Sequence, residues 1–249
     1  MKTNTNRRVA LITGANRGIG LQTAKDLAPD GVLLLLGVRD LAKGEAAAER
    51  IRREAFEAEA VHLDVIDPGT HGEVYDFIDR VFGRLDILVN NAGVCLENPI
   101  ASGSDPSTLS LETLRKTFET NFFGTVALTQ KLLPLIRRSQ AGRIVTVSSI
   151  MGSLTLHSDP ASPIYHSNVF AYNASKAALN SFTIHLAYEL RNTPVKVNSA
   201  HPGWVKTEMG GEHADLEVSE GGKTSAWLAT LPEDGPTGGF FHVGQLLPW

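Results

Sequence analysis

Tyr172 and Lys176 stand four residues apart in Tyr172-Asn173-Ala174-Ser175-Lys176, within a stretch of helical periodicity. At that spacing both side chains fall on one helical face. An ammonium beside a phenol favours the phenolate and lowers its pKa from about 10 toward the neutral range. A tyrosine tuned in this way donates a proton to a carbonyl oxygen or takes one from an alcohol. Ser149 ends the run Thr146-Val147-Ser148-Ser149 at the C-terminal end of an apolar strand. From there its hydroxyl is able to hydrogen-bond the same oxygen. A Tyr/Lys pair at this spacing is also a common structural feature of helices, so its chemistry depends on the company it keeps.

A second constellation opens the chain. Val9–Thr13 is followed at once by Gly14-Ala15-Asn16-Arg17-Gly18-Ile19-Gly20 and then by helical periodicity. Strand, glycine turn and helix N-terminus form an anion site, because backbone N–H groups and the positive helix end face a phosphate. The spacing G-x-x-x-G-x-G differs from the commoner dinucleotide fingerprint. Asp40 stands 20 positions after Gly20, where an acid holds a ribose diol and favours NAD. Arg39 beside it and Arg17 inside the turn favour a 2′-phosphate instead. The reading is therefore NADP(H), with Asp40 turned outward or capping the next helix.

These residues need a scaffold that brings strand ends together. Short apolar runs at Val9–Thr13, Val32–Val38, Ala60–Leu63, Ile87–Val89, Ile144–Val147 and Val195–Ser199 read as buried parallel strands. Helical stretches separate them at Ile19–Ala28, Leu41–Ala58, Gly72–Phe82, Leu111–Arg138 and Val169–Arg191. A last strand is expected within Gly239–Val243. The alternation predicts an α/β fold, a Rossmann-type doubly wound parallel sheet with helices on both faces, in a single domain over residues 1–249. Two segments read as irregular. Gly152–His166 is rich in Ser, Pro and His, and Gly210–Thr224 is rich in Gly, Glu and Ser; the second falls where a binding loop is expected.

Composition excludes several classes. A net charge of −4 over 249 residues gives no footprint for nucleic acid. One cysteine, Cys95, allows no internal disulfide and makes a reducing, cytoplasmic setting the default. The polar segment Met1–Arg8 is not a signal peptide, and no apolar run is long enough for a membrane. The histidines show no ligand spacing with an acidic partner, so no metal site is expected. Cys95 reads as a small core residue rather than a reactive thiol.

Thr13–Gly20, Asn90-Asn91-Ala92-Gly93, Asn121, Ser149, Tyr172–Lys176 and Pro202-Gly203 occur in that order. In this set the chain resembles the short-chain dehydrogenase/reductase family over its whole length, and most nearly the NADPH-dependent carbonyl reductases. The resemblance implies a catalytic set of Asn121, Ser149, Tyr172 and Lys176. Ser149 would orient the substrate carbonyl, Tyr172 donate the proton, Lys176 lower its pKa and hold the nicotinamide ribose, and Asn121 hold a water that links Lys176 to solvent. It also implies that Gly14, Asn16, Arg17, Gly18, Ile19, Gly20 and Arg39 hold the phosphates, and that Asp64 and Val65 meet the adenine. Asn91, Ala92 and Gly93 would line the adenosine side. Pro202, Gly203, Val205 and Thr207 would flank the nicotinamide, below a lid over residues 204–224.

Ser149 and Tyr172 are 23 positions apart, wider than in many members, and the extra residues are an insertion around 152–166. That leaves the oligomeric state open. The implied substrate is a small carbonyl compound, hydrophobic by the company of Met151, Trp204 and Met209. Two other functions compete: an NADP-dependent alcohol or hydroxysteroid dehydrogenase working oxidatively, and a non-catalytic dinucleotide sensor. The complete Ser149/Tyr172/Lys176 set argues against the sensor.

Overall fold

The computed structural model describes residues 7–97 and 105–249. Among them one sheet holds β1 (Val9–Thr13), β2 (Leu33–Val38), β3 (Ala58–His62), β4 (Ile87–Asn90), β5 (Arg143–Val147), β6 (Lys196–Ala200), β7 (Phe240–His242) and β8 (Gln245–Leu246). The strand order is β3-β2-β1-β4-β5-β6-β7-β8. Every pairing is parallel except that of β7 with β8. Order reverses between β1 and β4, the switch point at which open α/β sheets bind ligands.

Alternation along β1 explains why both faces are covered. Ala10 and Ile12 enter one apolar cluster with Ala24, Leu27, Ala48 and Ile51. Val9 and Leu11 enter the other with Ile78, Leu128, Leu132 and Leu186. The helices that supply such partners are α1 (Gly18–Leu27), α2 (Leu41–Arg53), α3 (Pro68–Val81), α5 (Thr125–Ile136), α7 (Phe170–Glu189) and α9 (Lys223–Ala229); the others are α4 (Leu111–Phe118), α6 (Leu154–His157) and α8 (Val218–Gly221). The doubly wound parallel architecture expected from the sequence is thus present.

Several boundaries differ, each for a physical reason. The helix expected over Leu41–Ala58 stops at Arg53, because Ala55 takes a left-handed φ of 67° and the chain is extended again from Ala58. α3 starts earlier than Gly72, where Asp67 accepts the Gly69 amide at 2.9 Å and Pro68 takes the first helical position. The single helix expected over Leu111–Arg138 is broken by a π-helical turn at Glu119–Gly124. β8 was not expected. It returns through Val243 and Gly244, both at positive φ, which is the geometry of a two-residue hairpin turn. The Gly152–His166 segment holds α6, and the Thr155 amide bonds the Trp249 carbonyl at 2.9 Å.

Arg143 opens β5 at the edge opposite the site and is 2% exposed. Its guanidinium donates to the carbonyls of Gly142, Leu231, Pro194 and Pro232. It therefore gathers three chain segments under the sheet. Arg143→Met should lower the unfolding free energy by about 3 kcal/mol, because buried carbonyls lose their donor. Urea denaturation checks this, and an unchanged midpoint would refute it.

Candidate active site

The strand ends on one edge carry the residues singled out by sequence. After Thr13 the chain turns through Gly14 and Gly18, with φ of 66° and 54°. It enters α1 with Arg17 at the N-cap, where no side chain takes the first-turn amides. Those amides are left for an anion. Asn16 and Ile19 are half-buried in the same turn. A Cβ on Gly20 would lie 2.4 Å from Asn91 Nδ2 and 2.7 Å from the Gly14 carbonyl, so nothing larger than glycine fits.

Asn91 fills that space because it staples two strands. Its Nδ2 donates to the Thr13 carbonyl at 2.7 Å. In return the Thr13 hydroxyl accepts the amides of Asn91 at 2.9 Å and Ala92 at 2.8 Å. Asn91 therefore supports the glycine turn from beneath with its side chain.

Asp40 caps α2, accepting the Lys43 amide at 3.1 Å. That amide, then the Lys43 ammonium, holds its carboxyl below the usual carboxylate range. Arg39 is exposed and has no ion pair among the described residues. Arg17 pairs with Glu208, both side chains being largely exposed, so the pair contributes little, about 0–1 kcal/mol. Asp64 lies beyond the end of β3, where its Oδ1 accepts the Ile66 amide at 3.2 Å. Val65 is buried, and its carbonyl lies where a Cβ on Gly124 would approach to 2.4 Å.

Beyond β6, Pro202 is buried and Gly203 has φ 89°. Val205 forms an isolated bridge with Leu216. The Thr207 hydroxyl accepts the Gly210 amide at 3.1 Å, and its methyl lies 3.5 Å from where a Cβ on Gly18 would stand. The 204–224 segment thus rests on the glycine turn. It is less irregular than expected, since it contains α8 and the start of α9.

Ser149 follows the end of β5. Its hydroxyl accepts the Met151 amide at 3.2 Å and stands near enough to the Tyr172 phenol to favour its ionised form. Tyr172 and Lys176 both lie on α7, and the Lys176 Nζ is 5.5 Å from the Tyr172 ring centroid. That Nζ donates to the Val147 carbonyl at 2.8 Å. Asn121 sits in the π-helical turn and is fully buried. Its Nδ2 donates to the Val94 carbonyl at 2.9 Å and to Ser175 Oγ at 3.0 Å, and its Oδ1 accepts the Val94 amide at 2.8 Å. A Cβ on Gly93 would stand 3.3 Å from Asn121 Oδ1 and 3.6 Å from Lys176 Nζ. The four catalytic candidates therefore form one connected group.

A family model of short chain dehydrogenases matches residues 8–217. This chain belongs to the short-chain dehydrogenase family. It is 32% identical to (+)-neomenthol dehydrogenase of Capsicum annuum, with 96% of each chain covered. It is 31% identical to human carbonyl reductase (NADPH) 1, covering 97% of this chain and 98% of that one. The solved salutaridine reductase of Papaver somniferum superposes with a TM-score of 0.81 at 31% identity, covering 94% of this chain and 99% of that one. The NADPH-bound carbonyl reductase from chicken fatty liver gives a TM-score of 0.81 at 26% identity, covering 98% and 100%. The chain is thus an oxidoreductase related to carbonyl and plant reductases.

In this short-chain dehydrogenase, burial dominates the electrostatics of the pair. As a whole residue Tyr172 is only half-buried, but its hydroxyl end is enclosed by protein. Burial pushes the phenol up to about 12, the Cys95 thiol adds to this, and the nearby Ser149 hydroxyl opposes it. Burial likewise pulls the Lys176 ammonium down to about 8. The expectation that Lys176 lowers the phenol is therefore not met in this geometry. The ammonium is spent on the Val147 carbonyl, and burial sets the direction for both groups.

Two residues near the site were not anticipated. His201 Nδ1 accepts the Ile150 amide at 3.3 Å, which places the ring proton on Nε2 and steadies the turn after Ser149. Burial, with His242 beside it, pulls His201 down to about 3, so the ring is neutral. Glu97 reaches the start of α7. Its only sequence signal is a carboxylate four residues after Gly93. Cys95 lies half-buried in the same loop rather than in the core, and burial pushes its thiol up.

The lysine shift gives a stability signature. Lys176 has a folded pKa of about 8 against 10.5 when unperturbed. Between those values the unfolded chain holds a proton that the folded chain has lost, so stability rises with pH. The unfolding free energy of the native protein should therefore climb relative to that of Lys176→Met from about pH 8 to about pH 10. Parallel curves across that window, measured in urea, would refute the buried-lysine account. Tyr172 acts oppositely above about pH 10, since its raised pKa costs stability there.

Proposed function

We propose that this dehydrogenase reduces the carbonyl of a ketone or aldehyde with NADPH, and that Tyr172 donates the proton. The observation that carries the reading is Lys176 Nζ 5.5 Å from the Tyr172 ring on one helix, beside Ser149, with the phenol held protonated by burial. A protonated phenol suits reduction. Oxidation of an alcohol asks Tyr172 to begin as phenolate, which burial disfavours.

NADPH, when bound, supplies the hydride. The chain's own residues fit it. The uncapped start of α1 and the glycine turn through Gly14 and Gly18 suit a pyrophosphate. Asp40 is occupied as a helix cap, which leaves Arg39 and Arg17 to meet a 2′-phosphate. Relatives named as NADPH carbonyl reductases support the same choice. Asp64 and Val65 serve the adenine end, Asn91, Ala92 and Gly93 the adenosine side, and Pro202, Gly203, Val205 and Thr207 the nicotinamide end.

Ser149 donates a hydrogen bond to the substrate oxygen and Tyr172 gives that oxygen its proton, leaving phenolate and an alcohol. The Lys176 ammonium over the ring offsets the phenolate charge. Asn121 keeps Val94 and Ser175 in place around Lys176. The 204–224 segment acts as a lid. Trp204 and Met209, both about half exposed there, offer an apolar surface to a hydrophobic carbonyl compound. No described helix is long and apolar enough to cross a membrane, and a reducing cytoplasmic setting suits the unpaired Cys95.

Tyr172→Phe should cut turnover about 10²- to 10⁴-fold while NADPH still binds. Loss of NADPH absorbance with a panel of ketones, aldehydes and quinones measures it, and retained turnover would sink the assignment. Arg39→Ala should weaken NADPH about tenfold and leave NADH nearly unchanged. Equal effects on both cofactors, by fluorescence titration, would remove Arg39 from the 2′-phosphate site.

A further inference from the structure

The helix that carries Tyr172 starts without a cap of its own. Val169 holds the N-cap position of α7 and makes no side-chain cap. An uncapped first turn leaves amides unpaired and frays readily. Tyr172 is the third residue of that turn, so fraying would move the phenol away from Ser149.

The missing acceptors come from the loop after β4. Glu97 accepts the Ala171 amide through Oε1 at 3.0 Å and the Tyr172 amide through Oε2 at 2.8 Å. Both carboxylate oxygens are engaged, in charge-assisted bonds at the positive end of a helix. The carbonyl of Tyr172 is held as well. It accepts from Ser175 Oγ at 2.7 Å, and Ser175 Oγ accepts from Asn121 Nδ2 at 3.0 Å. Side chains thus grip the backbone of Tyr172 on both sides, one of them from a loop far away in sequence. That loop is tied in turn to Asn121 through Val94.

We infer that Glu97 is a positioning residue for the reaction: its carboxylate clamps the first turn of α7 and so fixes the Tyr172 phenol against Ser149 and Lys176. The inference rests on Tyr172 being the proton donor. Glu97 itself touches neither substrate nor hydride.

The test compares Glu97→Ala, Glu97→Gln and Tyr172→Phe in the full-length protein. Each is assayed for NADPH-dependent reduction of one ketone at a temperature well below its unfolding midpoint. Glu97→Ala should lower kcat about tenfold or more, since a small misplacement of a reacting group is costly. KM for the ketone and the Kd for NADPH, read from cofactor fluorescence, should stay within about twofold. Glu97→Gln keeps one acceptor oxygen and should recover part of the loss. If Glu97→Ala does not fold, Glu97→Gln carries the test, with kcat below the native value at unchanged Kd.

Native kcat in the folded Glu97 variants overturns the inference. So does a fall in NADPH affinity in step with kcat, which marks a general loss of structure. A dead Tyr172→Phe beside a fully active Glu97→Ala removes the clamp and leaves the proton-donor reading standing. An active Tyr172→Phe removes both.

Discussion

The site depends on one junction, where the hydroxyl of Thr13 takes the amides of Asn91 and Ala92 and Asn91 returns a bond to the Thr13 carbonyl. It joins β1 to β4 at the point where strand order reverses. Chains leaving adjacent strands there diverge to opposite sides and open a crevice. The staple closes the floor of that crevice and leaves its walls to other elements. On one side the chain must turn at once through Gly14, and Gly20 must be glycine because Asn91 Nδ2 takes the room a Cβ needs. On the other side Gly93 brings backbone close to Asn121 and Lys176. The glycine turn and the surroundings of Asn121 and Lys176 are therefore both shaped by a single contact.

Much of this was legible in the sequence, because it rests on local rules. Buried parallel strands declare themselves by apolar runs, and the order of Gly14, Asn91, Asn121, Ser149 and Tyr172 places them at successive strand ends or on the helices beside them. What escaped was set by contacts between distant segments. The π-helical turn at Glu119–Gly124 has no periodicity signal of its own. It exists where Gly124 passes against the Val65 carbonyl and Asn121 must face Val94 and Ser175. Likewise nothing near Arg143 in the chain announces a buried guanidinium, since its acceptors at Leu231 and Pro232 lie far along the sequence. The Asp67-Pro68 start of α3 is a different matter. Asp67 and Pro68 form a local cap and first-turn signal that lies ahead of the apolar pattern marking the helix.

The charge relation between Tyr172 and Lys176 shows where a helical spacing argument stops. An i,i+4 pair fixes a shared face, and the 5.5 Å from Nζ to the ring centroid agrees with it. It does not fix what else the ammonium meets. Here the Val147 carbonyl takes the lysine, and burial acts on both the ammonium and the phenol. Desolvation favours neutral forms, so the phenol rises and the lysine falls, in opposite directions on the pH scale. The result is a pair biased toward holding its proton on oxygen at neutral pH. A bias of that kind suits a group that must begin as an acid, and it makes position matter more than acidity. A phenol that stays protonated transfers its proton only to an oxygen placed on it. That is why the bonds on the Tyr172 backbone from Glu97 and Ser175 carry as much of the argument as the lysine does.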